Sequence, residues 1–172
     1  MQVQKCVFLD RDGVLNRERG DYTYTLDDFE VLPRVPEALK LLKENGYLLI
    51  VVTNQAGIAK GLYQAADVLA CHQKLQDSCA SLIDAIYFAP NHPSFSASLS
   101  RKPDSLMLER AIAKYNIDPA TSWMIGDSLR DLEAADKVGV KGVLVGNKYA
   151  SATHKLQVQD LWEAVQFILA GV

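Results

Sequence analysis

Cysteine is scarce in this 172-residue chain: Cys6, Cys71 and Cys79 make an odd count with no CxxC spacing. That argues against a disulfide framework and a four-cysteine zinc site, and leaves buried free thiols as the expectation. Long apolar runs are missing as well. The stretch MQVQKCVFLD meets charged residues after only four apolar ones. It has neither the length of a membrane span nor the layout of a signal peptide, so a cytoplasmic protein is expected. There is no surplus of positive charge. The formal net charge of −3 argues against broad electrostatic binding of nucleic acid or acidic lipid, and leaves room for a small anion at one local site. Repeats, low-complexity tracts and linkers rich in Pro, Gly and Ser are absent too. At 49% hydrophobic, the length suits one domain over residues 1–172 with a substantial core, expected to act as a monomer.

What the chain does have is alternation. Apolar runs of strand length recur at Lys5 to Leu9, Tyr47 to Thr53, Ala85 to Ala89, Ser122 to Ile125 and Gly142 to Val145. Between them lie helical periodicities: PEALKLLKENG, QAADVLACHQKLQDSCASL, DSLMLERAIAKYN and DLEAADKVG. VQDLWEAVQFILAGV closes the chain as an amphipathic helix starting near Asp160, with Leu161, Trp162, Val165, Ile168 and Leu169 inward. The pattern predicts an α/β fold: a doubly wound, Rossmann-like parallel sheet in three layers, with helices on both faces and right-handed crossovers. Trp123 and Trp162 are expected in the core, His72 at the surface or boundary, and His154 in a polar approach to the last helix.

The first strand, CVFL, runs straight into Asp10-Arg11-Asp12-Gly13. In an open parallel sheet, ligands bind beyond the carboxyl ends of the strands, where the strand order reverses. Residues two apart in an extended segment point to the same side, so Asp10 and Asp12 can converge on one cation or one reacting group. Two carboxylates that close repel unless a positive charge lies between them. Magnesium suits that role, taking hard oxygen ligands and commonly a phosphate oxygen as well.

A third carboxylate is expected from WMIGDSLRD, where Asp127 follows a strand and Asp131 lies one helical turn on. Either Ser128 or Asp127 can serve as a helix cap, and beside the Asp10 and Asp12 pair metal ligation by Asp127 is the better reading. IVVTNQAGIAKG offers Thr53 and Asn54, with glycines nearby, to phosphoryl oxygens. SRKPDSLM offers Lys102 as a point charge and Arg101 as a planar fork. Singly, a TN turn is usually only a turn and an RKP segment only a solvated loop. Their order, each at the end of an expected strand, points to a phosphoryl-transfer site.

Together, DRDGVLN, VVTNQAGIAKG, RKP and GDSLRDLEAA resemble the four signature regions of the haloacid dehalogenase-like (HAD-like) phosphatases, over Lys5 to about Asn147. The pattern is most similar to the group containing histidinol-phosphatases and D-glycero-D-manno-heptose 1,7-bisphosphate 7-phosphatases; DRDG, TNQ with GIAKG and Tyr63, and RKP carry the narrower likeness. The resemblance implies that Asp10 is the nucleophile and forms an aspartyl-phosphate. It implies that Asp12 is the acid and base and ligates Mg2+ through its carbonyl oxygen, with Asp10 and Asp127 as carboxylate ligands. It assigns Thr53 and Lys102 to the phosphoryl group, Asn54, Gln55 and Arg101 to substrate, and a small phosphorylated metabolite, a sugar bisphosphate being favoured, as partner.

Departures from the family pattern are specific. Members commonly carry a structural zinc before RKP, whereas Ala89, Asn91, Ser98 and Ser100 stand where ligands would be, leaving His92 as the one soft donor, so no structural zinc is expected. Phe95 and Leu99 packing inward would then order the loop. Lys60 stands where Arg is usual. The insert between Gly13 and Pro33 is too short for a large cap domain, which implies an open site. On that flap Arg19, Gly20 and Asp21 either contact sugar hydroxyls or a second phosphate, or form a solvated hairpin tip. Two readings compete with a heptose bisphosphatase: a histidinol-phosphate phosphatase of the same class, and a receiver-like module that accepts a phosphoryl group and holds it.

Overall fold

The computed structural model describes residues 2–149 and 156–171; His154 lies outside them. Six parallel strands form one sheet in the order β3-β2-β1-β4-β5-β6. These are β1 Lys5–Leu9, β2 Tyr47–Asn54, β3 Ala85–Ala89, β4 Trp123–Gly126, β5 Lys141–Val145 and β6 Gln157–Val158. The helices are α1 Val35–Glu44, α2 Ala65–Ser78, α3 Leu106–Tyr115, α4 Leu129–Asp136 and α5 Leu161–Leu169. No described helix is long and apolar enough to cross a membrane.

The strands are apolar on both faces because both faces are covered. Val7 and Leu9 of β1, with Leu49 and Val51 of β2, join a core with α1, α2 and α5. Cys6 and Phe8, with Ile50 and Val52, face the opposite way into a second core with α3 and α4. The three thiols are all buried and free.

Element boundaries differ from the sequence expectation where polar side chains intervene. Ser122 is not in a strand: its hydroxyl accepts the Cys6 N–H at 2.9 Å and donates to the Asp118 carbonyl at 2.7 Å, closing the turn before β4. The last helix, α5, starts beside Asp160 as expected, and Asp160 caps it by accepting the Glu163 N–H at 2.9 Å. The two-residue β6 gave no periodic signal of its own.

Three side chains depart from their expected environments. Trp162 packs against the first core as expected but is only half-buried, its ring 3.7 Å from the Arg34 guanidinium, so it lies at the rim of the core and not in its interior. Trp123 is half-buried as well, edge-on to Phe167. His72 is the reverse case: expected near the surface, it is 5% exposed and packs edge-on against Phe88. The period of α2 turns it inward, where burial pulls its imidazole down to about 4.

Candidate active site

The strand order reverses between β1 and β4: from β1 the sheet grows through β2 to β3 on one side and through β4 to β6 on the other. A cleft of about 590 Å³ opens there, lined by residues that follow β1, β2 and β4 and by the segment before α3. The Asp10 N–H still donates to the Ile125 carbonyl, 3.0 Å away, so the ladder ends where the first carboxylate begins.

Lys102 organises the floor. Its ammonium donates to Asp10 Oδ1 at 2.8 Å and to the Val52 carbonyl at 2.6 Å, and pairs with Asp131 Oδ1 at 2.7 Å. Burial alone would lower the Lys102 pKa, but Asp10 and Asp131 outweigh it and hold the ammonium above its ordinary value. Asp10 Oδ1 also accepts the Arg11 N–H at 2.8 Å. Among the described residues no hydrogen bond reaches its Oδ2.

Asp10, Asp127 and Asp131 bring carboxylate oxygens within 4.8 Å of one another. Burial, then the charge of Asp131, push Asp10 up to about 7, and the same two causes push Asp127 up to about 6. Such a site holds more negative charge than one lysine balances, and a hard divalent cation fits its all-oxygen donors. Asp131 is the poorest donor of the three, since Lys102 takes Oδ1 and the Ser128 N–H, 3.1 Å away, takes Oδ2. Ser128 and Asp131 form the capping box of α4, so Asp127 is not the cap; it faces the cleft with Lys148 Nζ 4.0 Å from its Oδ2.

The Asp12 carboxylate stands outside that cluster, oriented by three groups. Arg11 Nη2 lies 2.9 and 3.1 Å from its two oxygens, Asn16 Nδ2 donates to Oδ1 at 2.9 Å, and Gln55 Nε2 donates to Oδ2 at 3.1 Å. Its backbone carbonyl accepts no hydrogen bond from the described residues and remains available to a cation. Arg11 went unnoticed in the sequence, where an arginine at a strand end reads as solvated. It is fully buried, over the Phe29 ring and bonded to the Thr23 carbonyl at 2.8 Å.

Thr53 and Asn54 meet the cleft at the end of β2. The Asn54 amide is occupied at both ends by the Lys102 backbone, at 3.0 Å each, so it seats Lys102. Gln55 is engaged with Thr53, Asp12 and Tyr63. At the mouth stand Arg101, Arg130 and Lys148. Burial and then the neighbouring Arg130 lower the Arg101 pKa, as expected of two guanidinium groups that face one space. Gly20 and Asp21 line the mouth, but Arg19 turns away to pair with Asp28 at 2.8 Å.

The loop before RKP is ordered otherwise than expected. Phe95 and Leu99 do not pack inward; they are 66% and 69% exposed. Polar bonds shape the segment instead: Ser98 and Ser100 hydroxyls lie 2.8 Å apart, Arg101 Nη1 donates to the Asn91 carbonyl at 3.2 Å, and the Ser94 N–H donates to His92 Nδ1 at 3.2 Å.

Known proteins share this layout. A family model described as HAD-hydrolase-like matches residues 99–164. The D-glycero-β-D-manno-heptose-1,7-bisphosphate 7-phosphatase of Haemophilus ducreyi is 42% identical over 147 residues, 80% of each chain. The D-glycero-α-D-manno-heptose-1,7-bisphosphate 7-phosphatase of Mycobacterium bovis is 37% identical over 169 residues, 93% of this chain and 89% of that one. The crystal structure of D,D-heptose 1,7-bisphosphate phosphatase from B. bronchiseptica, complexed with magnesium and phosphate, superposes with a TM-score of 0.89 at 30% identity, covering 98% of this chain and 100% of that one. With its acidic cluster at the sheet's switch point and relatives this similar over most of its length, the chain belongs to the heptose-1,7-bisphosphate 7-phosphatase family of HAD-like hydrolases.

Proposed function

We propose that this chain is a magnesium-dependent phosphatase that removes the 7-phosphate of D-glycero-D-manno-heptose 1,7-bisphosphate by way of an aspartyl-phosphate on Asp10. The observation that carries the reading is the state of Asp10: Oδ1 is pinned by Lys102 and the Arg11 N–H, and Oδ2, beside the cleft, takes no hydrogen bond from the described residues. Oδ2 attacks phosphorus, and the bond from phosphorus to the sugar oxygen breaks. Asp12 donates its proton to that oxygen, then takes one from the water that attacks the aspartyl-phosphate, releasing inorganic phosphate and restoring Asp10.

Thr53 and Lys102 bind the transferring group, Lys102 offsetting charge that spreads over the equatorial oxygens. Asp10, Asp127 and the Asp12 carbonyl would hold Mg2+, which when bound neutralises the crowded carboxylates and the phosphate. Arg101 holds the distal phosphate, the second anion a bisphosphate presents, while Gly20 and Asp21 meet the sugar from the flap.

A phosphate-release screen over the β and α anomers of the heptose bisphosphate and over histidinol phosphate, with and without magnesium, tests this. The ratio of kcat/KM values names the substrate, and a preference for histidinol phosphate overturns the assignment. Replacing Asp12 by Asn separates an enzyme from a receiver-like module. The variant loses turnover if Asp12 moves the proton; phosphate release at the wild-type rate refutes that role.

A further inference from the structure

Tyr63 touches neither the acidic cluster nor Lys102, yet it is 6% exposed and its hydroxyl donates to Gln55 Oε1 at 2.9 Å. The other end of that amide donates to Asp12 Oδ2 at 3.1 Å and to Thr53 Oγ1 at 3.0 Å. The NH2 end of the amide faces Asp12 and Thr53, so the carbonyl end faces Tyr63 and the phenol must donate. We propose that Tyr63 is a positioning residue for Asp12: it locks the Gln55 amide in the one orientation that holds Oδ2 of Asp12 toward the leaving oxygen.

The surroundings keep Tyr63 in place. Tyr24 stacks on its ring at 4.8 Å with planes 15° apart, and Tyr22 meets it edge-on at 5.8 Å. A Cβ on Gly57 would overlap the ring. Both aromatic neighbours belong to the flap, and Arg11, the other support of Asp12, donates to the flap's Thr23 carbonyl. Without the phenol O–H, Gln55 Oε1 becomes a buried acceptor with no donor, and the amide rotates to find one. Asp12 then keeps Arg11 on both oxygens and Asn16 on Oδ1, but loses the second donor, Gln55, that fixes the direction of Oδ2.

This inference rests on the role given to Asp12 above, and leaving-group dependence separates the two. A sugar oxygen needs a proton to leave; the phenolate of p-nitrophenyl phosphate does not. In the enzyme with magnesium, Tyr63→Phe lowers the ratio of kcat/KM on the heptose bisphosphate to kcat/KM on the aryl ester, which reports departure of the leaving group before the shared aspartyl-phosphate is hydrolysed, by about 10-fold, a fraction of what general acid catalysis contributes, without raising KM. Gln55→Leu lowers the ratio similarly, and Tyr63→Phe added to it lowers it no further. Asp12→Asn lowers it by on the order of 100-fold.

Equal losses on both esters, a change confined to KM, or additive effects in the double variant overturn the role of Tyr63 while that of Asp12 stands. An unchanged ratio in Asp12→Asn overturns both. Should Tyr63→Phe fold poorly, as its melting temperature would reveal, an unchanged ratio in Gln55→Leu refutes the proposal by itself.

Discussion

Lys102 and Asp131 form a buried ion pair, with Nζ 2.7 Å from Oδ1 and both side chains 2% exposed. The same ammonium bonds Asp10 at 2.8 Å, so one cation ties the end of β1 to the first turn of α4. Removing one partner of a buried pair leaves the others uncompensated. Lys102→Met is expected to lower stability by about 3–5 kcal/mol at pH 8 and to cut kcat by about 100-fold or more. Urea unfolding and turnover check this, with part of the stability returning near pH 6 as the stranded carboxylates protonate.

Magnesium should stabilise the protein in a pH-dependent way. Without metal, burial and Asp131 raise Asp10 to about 7 and Asp127 to about 6, against an ordinary value of 3.8. The folded state therefore prefers these groups protonated; their contribution to stability is full below 3.8 and is lost as pH rises through 6 to 7. A cation at the site removes that loss. Magnesium at about 100 times its Kd contributes roughly 2.7 kcal/mol, a rise of about 5–10 °C in Tm. The rise is expected at pH 8, to shrink by pH 5.5 as protons compete, and to vanish in Asp127→Asn. A thermal melt with and without chelator measures it.

Gly13 sits where a side chain cannot. Its φ is +83°, and a Cβ would lie 2.5 Å from Asp127 Oδ2. Gly13→Ala should lose about 1–2 kcal/mol to backbone strain and, by displacing Asp127, raise the magnesium needed for half-activation by on the order of 10-fold. Gly20→Ala is the control: φ is +78°, with nothing within 4 Å of the added carbon. It should show the strain without the change in metal dependence.

His72 predicts an acid limb of stability. Burial lowers its pKa from 6.5 to about 4, and its Nε2 has no hydrogen-bond partner among the described residues. The unfolded chain takes up a proton that the fold refuses, so its contribution is full above pH 6.5 and falls as pH drops toward 4. The limiting loss is about 3 kcal/mol. His72→Leu should be more stable relative to wild type at pH 5 than at pH 7.5. Paired urea melts cancel the other titrations, and parallel pH curves for the two proteins would refute the assignment.

The residues after β1, β2 and β4 were legible because chemistry and position coincide there. Asp10, Thr53, Lys102 and Asp127 each follow an apolar run or precede a helix, and the structure gathers all of them at one cleft. Arg11 and Tyr63 were not legible as supports of Asp12. One lies between two acids and the other follows a glycine turn, and nothing local says that the first is wholly buried or that the second bonds an amide eight residues away. Phe95 and Leu99 misled because apolar residues normally seek a core, whereas serine and asparagine bonds already hold that loop.

By itself the sequence determined the order of the first five strands and of the helices, the two-faced burial of the sheet and the chemical class of the site, because periodicity and residue type act over short stretches of chain; β6 is too short a stretch to register. The tertiary structure alone decided which groups support the reactive carboxylates: Arg11, Asn16 and Gln55 around Asp12, and Lys102 and Asp131 around Asp10. Those bonds span up to 92 residues. Their partners are chosen by packing and by the need to satisfy buried charge, neither of which exists until the sheet has assembled.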